Sequence, residues 1–101
     1  MKIIDLNLRI QENIITTLKK YQGIAKAVIF GSRATRFNKK NSDIDLAIYC
    51  QSEFPVGLRL DLEEAVGIYK IDVVNMHTLT NEKLKKAIEK DGVEIYAGKT
   101  S

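Results

Sequence analysis

Cysteine is nearly absent from this chain: Cys50 is the only one. A single thiol closes no intramolecular disulfide, and nothing suggests an oxidising, secreted setting. Long apolar runs are missing too, since none approaches the roughly 20 residues of a membrane span. The opening stretch, MKIIDLNLRI, has Asp5, Asn7 and Arg9 where a signal peptide needs an unbroken apolar core. A cytoplasmic protein without a membrane partner is therefore expected. A strong excess of one charge is missing: the net charge is +3, below the bias of a dedicated nucleic-acid binder. This mild excess suits an anionic ligand such as a nucleotide, and no direct nucleic-acid substrate is expected. There are no internal repeats and no low-complexity segments. What is present is an ordinary globular balance, 45% hydrophobic and 29% charged over 101 residues. That length suits one domain, residues 1–101, with a modest core.

Periodicity organises the chain. Leu6, Ile10, Ile14 and Leu18 recur every four residues and predict an amphipathic helix ending near Tyr21-Gln22-Gly23, with Gly23 a candidate C-cap. Ala25 to Phe30 reads as a short buried strand that stops at Gly31-Ser32. Ser32 to Ser42 is polar and basic without clear period, and a helical turn could open at Ser32. Ile44, Leu46 and Ile48 then alternate with Asp43, Asp45, Ala47 and Tyr49, which predicts a second strand. A helix is expected from Ser52, as N-cap, to Gly67, with Pro55 in its first turn. Tyr69 to Met76 reads as a third strand. Thr80 or Asn81 caps a last helix that stops at Asp91-Gly92, and Val93 to Tyr96 is a short strand or an extended tail. The order predicts an α/β domain, a small mixed β-sheet flanked by helices.

The acids stand out from this pattern. Residues two apart on a strand share a face, so Asp43 and Asp45 point together, about 6–7 Å apart by strand rise. Two carboxylates that close repel each other, and a cation would relieve them. Mg²⁺ fits, because it takes hard oxygen ligands and keeps places for water and substrate phosphate. Asp72 interrupts the apolar residues of the third strand. If the second and third strands are neighbours, it joins the pair, and three carboxylates can hold two metal ions for in-line displacement at phosphorus. Gly31 lets a phosphate approach the backbone, and Ser32 offers a hydroxyl and nearby N–H groups to an anion. Arg33, Arg36, Lys39 and Lys40 add positive charge close by. Acids for metal and basic donors for phosphate describe a nucleoside triphosphate site.

Together, Gly31-Ser32, ten intervening residues, Asp43-Ile44-Asp45 and the later Asp72 resemble the nucleotidyltransferase superfamily that includes DNA polymerase beta. The small size is similar to that of its minimal members, the MNT domains, so the resemblance implies a polymerase beta-like core. It implies that Gly31 and Ser32 hold the triphosphate, with Arg33 and Arg36 as further nucleotide-binding candidates. It also implies that Asp43 and Asp45 bind both metals, and that Asp72 completes one metal site and assists the attacking hydroxyl. Minimal nucleotidyltransferases are typically paired with HEPN-domain toxins as their antitoxins. Some transfer AMP from ATP to a tyrosine of the toxin, an RNase, and so silence it. The implied function is thus Mg²⁺-dependent AMP transfer to a hydroxyl of a HEPN toxin. The family commonly has a second glycine five residues after the first, where this chain has Arg36. The alternative is therefore a catalytically weak or inactive antitoxin that neutralises its partner by binding.

Each part also has a plainer reading. Gly31-Ser32 could be a strand end and a helix N-cap, and Asp43 and Asp45 a charge-blunted strand edge. The basic loop could be merely solvated. His77 lacks a partner pattern and reads as a loop residue, and Cys50 as a small buried or half-buried one.

Overall fold

The computed structural model describes residues 6–31 and 43–98. Helix α1 (Leu8–Lys19) is opened by Asn7, whose side chain accepts a hydrogen bond from the Arg9 N–H at 2.8 Å. It ends at Lys20, three residues before the expected cap. Gly23, with φ of +86°, instead turns the chain into strand β1 (Ile24–Phe30). Strand β2 (Ile44–Cys50) follows the alternation read from the sequence.

Helix α2 is shorter than expected, Leu58–Ala65, and Ser52 does not cap it. The Leu58 N–H bonds to the Pro55 carbonyl, closing a turn with Gly57 at its third position and φ of +86°. That left-handed residue separates Pro55 from the helix, so helical geometry starts only at Leu58. Strand β3 (Ile71–Asn75) and helix α3 (Glu82–Asp91) come next. Asn81 caps α3 by accepting from the Leu84 N–H at 3.1 Å. Val93–Ala97 forms strand β4.

The sheet order is β3-β2-β1-β4. Strand β1 pairs antiparallel with β2 and β4, and β2 pairs parallel with β3, so the sheet is mixed as expected. On one face Ile29, Leu46, Ile48 and Val73 pack with Ile14 and Leu18 of α1 and Leu58 and Leu62 of α2. On the other face Val28, Phe30 and Ala47 pack with Ile88 of α3. Helices thus flank both sides of the sheet. No helix among the described residues is long and apolar enough to cross a membrane.

Candidate active site

The register brings the acids together. Asp45 stands opposite Phe30 of β1 on one side and opposite Asp72 of β3 on the other. Cross-strand partners share a face, so Asp45 and Asp72 project from the face that also carries Val28, Ala47 and Val74. Asp43 lies two residues before Asp45, at the mouth of β2, and is exposed. These acids occupy the end of the α3-side face. Their proximity has an electrostatic signature. Burial first, then the charges of Asp72 and Asp43, push the Asp45 carboxyl above its ordinary value.

Gly31 closes the site on the β1 side. It follows Phe30 with φ of +75°, a conformation that favours glycine. A Cβ at this position would run into Oδ2 of Asp45. Glycine is needed here both for the turn and for the approach of the carboxylate. Ser32, Arg33 and Arg36 lie outside the described residues, as do Lys39 and Lys40.

On the β3 side a depression of about 430 Å³ opens beside Asp43 and Asp72. Glu63 of α2 and Gly67, Tyr69 and Lys70 of the α2–β3 turn form its walls. Neither Glu63 nor Lys70 stood out in the sequence, because each reads as an ordinary charge on a wet surface. A larger cleft of about 1030 Å³ lies at the other end of the strands, between Lys19, Tyr21, Gln51 and Tyr96. No carboxylate among the described residues lines it. His77 sits in the turn after β3, where its N–H donates to the Asn75 side chain at 3.0 Å. Cys50 is half-buried, and burial pushes its thiol up.

Lys85 forms an ion pair with Glu82 at 3.8 Å, which involves none of the three acids. No group of three His, Cys, Asp or Glu among these residues is closed tightly enough to hold a metal ion as it stands. The donor chemistry nevertheless suits a hard divalent cation: three carboxylates share one end of a sheet, and burial, with the charge of the other two, disfavours the ionised form of Asp45.

This fold and grouping of residues define a class. Residues 12–101 match the family described as polymerase beta, nucleotidyltransferase, and the chain belongs to that family. It is similar to a Methanocaldococcus jannaschii protein named "Putative protein adenylyltransferase", with 33% identity over 82 residues, 77% of this chain and 83% of the relative. Solved structures share the fold. One is a toxin–antitoxin structure with AMP-PNP, with a TM-score of 0.73 and 20% identity over 87% of this chain and 73% of the other. Another is a tri-AMPylated Shewanella oneidensis HEPN toxin in complex with MNT antitoxin. Its TM-score is 0.65, with 18% identity over 88% of this chain and 71% of the other.

Proposed function

We propose that the chain is a cytoplasmic antitoxin that transfers AMP from ATP to a tyrosine hydroxyl of a HEPN-domain toxin, and that residues 1–101 act as one minimal nucleotidyltransferase domain. The observation that carries this reading is the alignment of Asp45 with Asp72 across β2 and β3, beside Asp43 and Gly31. The relatives bear on the substrate and partner. One is named for protein adenylyl transfer, and others are toxin–antitoxin complexes, one with a nucleotide analogue and one with an AMP-modified toxin.

Asp43, Asp45 and Asp72 would hold two Mg²⁺ ions, which supply charge neutralisation at the phosphates when bound. Gly31, Ser32, Arg33 and Arg36 hold the triphosphate. The acceptor oxygen bonds to the α-phosphorus. The bond from that phosphorus to the bridging oxygen breaks, and pyrophosphate leaves with the electron pair. Asp72 takes up the acceptor proton and passes it to water. Catalysis rests mainly on positioning and on charge.

The test uses ATP labelled at the α-phosphate, Mg²⁺ and the HEPN-domain protein of the same genome. Label is expected on the partner with the wild type, and about 10³-fold less with Asp45→Asn, the scale of losing a group that stabilises charge in the transition state. Full turnover by Asp45→Asn sinks the assignment. Arg36 at the family's second glycine position favours one other reading, neutralisation by binding alone. Asp43→Asn separates the two: it leaves neutralisation in cells intact only if binding suffices.

A further inference from the structure

We infer that the cleft at the far end of the strands from the acids is a second ligand site, and that it takes a nucleoside monophosphate. The base lies on the rings of Tyr21 and Tyr96, and the phosphate meets Lys19. The inference does not depend on AMP transfer at the acids.

From Asp45 to Gln51 the chain runs about 20 Å at the usual rise of a strand, so the cleft is well separated from the carboxylates. Three segments converge on it. The turn after α1 brings Tyr21 and Gln22, the end of β2 leads to Gln51 and Ser52, and the end of β4 brings Tyr96. Backbone hydrogen bonds tie these walls together. The Gln51 N–H donates to the Gly23 carbonyl at 2.8 Å, and the Gly98 N–H to the Ala25 carbonyl at 2.7 Å. The register of β1 against β2 shifts between Ile24 and Lys26, and Ile24 lines the cleft. Such bulges are common next to active sites. The cleft, of about 1030 Å³, is thus formed before a ligand arrives, and it lies at the upper end of the size range of small-molecule sites.

The lining combines the parts that recognise a nucleotide. Tyr21 and Tyr96 supply aromatic surface, and every base has a face to lay on it. The Tyr21 ring is held in place, because its hydroxyl donates to the Asp61 carboxylate of α2. Stacking on a ring already fixed loses little freedom. Gln22 and Gln51 offer amides, each with two donors and an acceptor, for the polar edge of a base. Lys19 and Ser52 add an ammonium and a hydroxyl for a phosphate. Lys19 sits in the last turn of α1, whose carbonyl ends offset part of its charge, and no other charged residue is in the described lining. One partly offset ammonium suits one phosphate and not three. The rings therefore carry more of the affinity than the charge does.

The experiment titrates AMP into the ¹⁵N-labelled full chain without divalent cation and follows the backbone amide signals. Those of Gly23, Gln51 and Gly98 are expected to shift together and to saturate with a Kd of about 0.1–1 mM. Tyr96→Ala is expected to raise that Kd about tenfold, the scale of losing a stacking platform. Gln51→Ala, at an exposed position, should raise it about threefold, the scale of one hydrogen bond. Lys19→Gln should weaken AMP about threefold and leave adenosine unchanged. Signals at these amides that stay still up to about 10 mM AMP overturn the proposal, as do shifts confined to Gly31 at the acid end. So does an unchanged Kd in Gln51→Ala, a variant that keeps the test open if Tyr96→Ala loses core packing. Tighter binding of ATP than of AMP at these amides overturns the assignment of a monophosphate.

Discussion

The two faces of the sheet are made by the same strands and do opposite things. On the α1–α2 side, Ile29, Leu46, Ile48 and Val73 meet the buried Ile14, Leu18, Leu58 and Leu62, and the face is apolar up to Asn75, the partner of Ile48 at the end of β3. On the α3 side, Val28 and Ala47 lie under Ile88, but the row changes character within one register step. Past Ala47 and Val74 come Asp45 and Asp72. One face holds the protein together along its whole length. The other does so over half of its length and leaves the remainder for charge. The acids sit where helix cover runs out, so part of each carboxylate keeps its solvent.

Truncation separates the faces most sharply. Leu62→Ala is expected to cost about 3–5 kcal/mol, read by urea unfolding, because Leu62 is wholly buried. Ile88→Ala should cost about 2 kcal/mol, at the low end for such a change, since α3 covers only part of its face. A larger loss at Ile88 than at Leu62 would reverse the ranking of the faces. Gly31→Ala should cost about 1–3 kcal/mol, because the conformation disfavours alanine and the methyl displaces the Asp45 carboxylate. Transfer should fall with it. Asn81→Ala, which removes the cap of α3, should cost about 1 kcal/mol.

The smallest effect has the opposite sign. Folding raises the Asp45 pKa above the ordinary 3.8, so the native state binds this proton more readily than the unfolded chain does. Stability then declines as pH rises from 3.8 through the folded value, and the charged site remains a cost at neutral pH. Asp45→Asn should therefore melt higher than the wild type at pH 7. That advantage should shrink as pH falls through the folded value and vanish below 3.8. A lower melting temperature for the variant at pH 7 would mean that the carboxylate has a stabilising partner.

Much of this contrast was legible in the sequence. The alternation of Ile44, Leu46 and Ile48 against Asp43 and Asp45 is a period-two signal that tertiary packing did not override. Asp72 was noticeable because an acid inside an apolar strand needs a reason. The partnership of Asp45 with Asp72 was only conditional, since strand order depends on packing that spacing does not encode. The late start of α2 was missed because at Gly57 a positive φ resets the chain direction, so that helical geometry begins only at Leu58. The α2–β3 turn carried no signal at all, because Glu63 and Lys70 acquire meaning only from what lies next to them. The nucleotide-binding expectations for Ser32, Arg33 and Arg36 concern residues outside those described.

The parallel pairing of β2 with β3 also has a consequence for the order of folding. Antiparallel neighbours such as β1 and β2 can zip from a nearby connection. A parallel pair waits until the chain has crossed over, here through α2. Asp45 and Asp72 therefore meet only in a chain whose α2 crossover is in place. Their mutual repulsion arises only once that crossover holds the two strands side by side, and a chain without it carries no assembled set of acids.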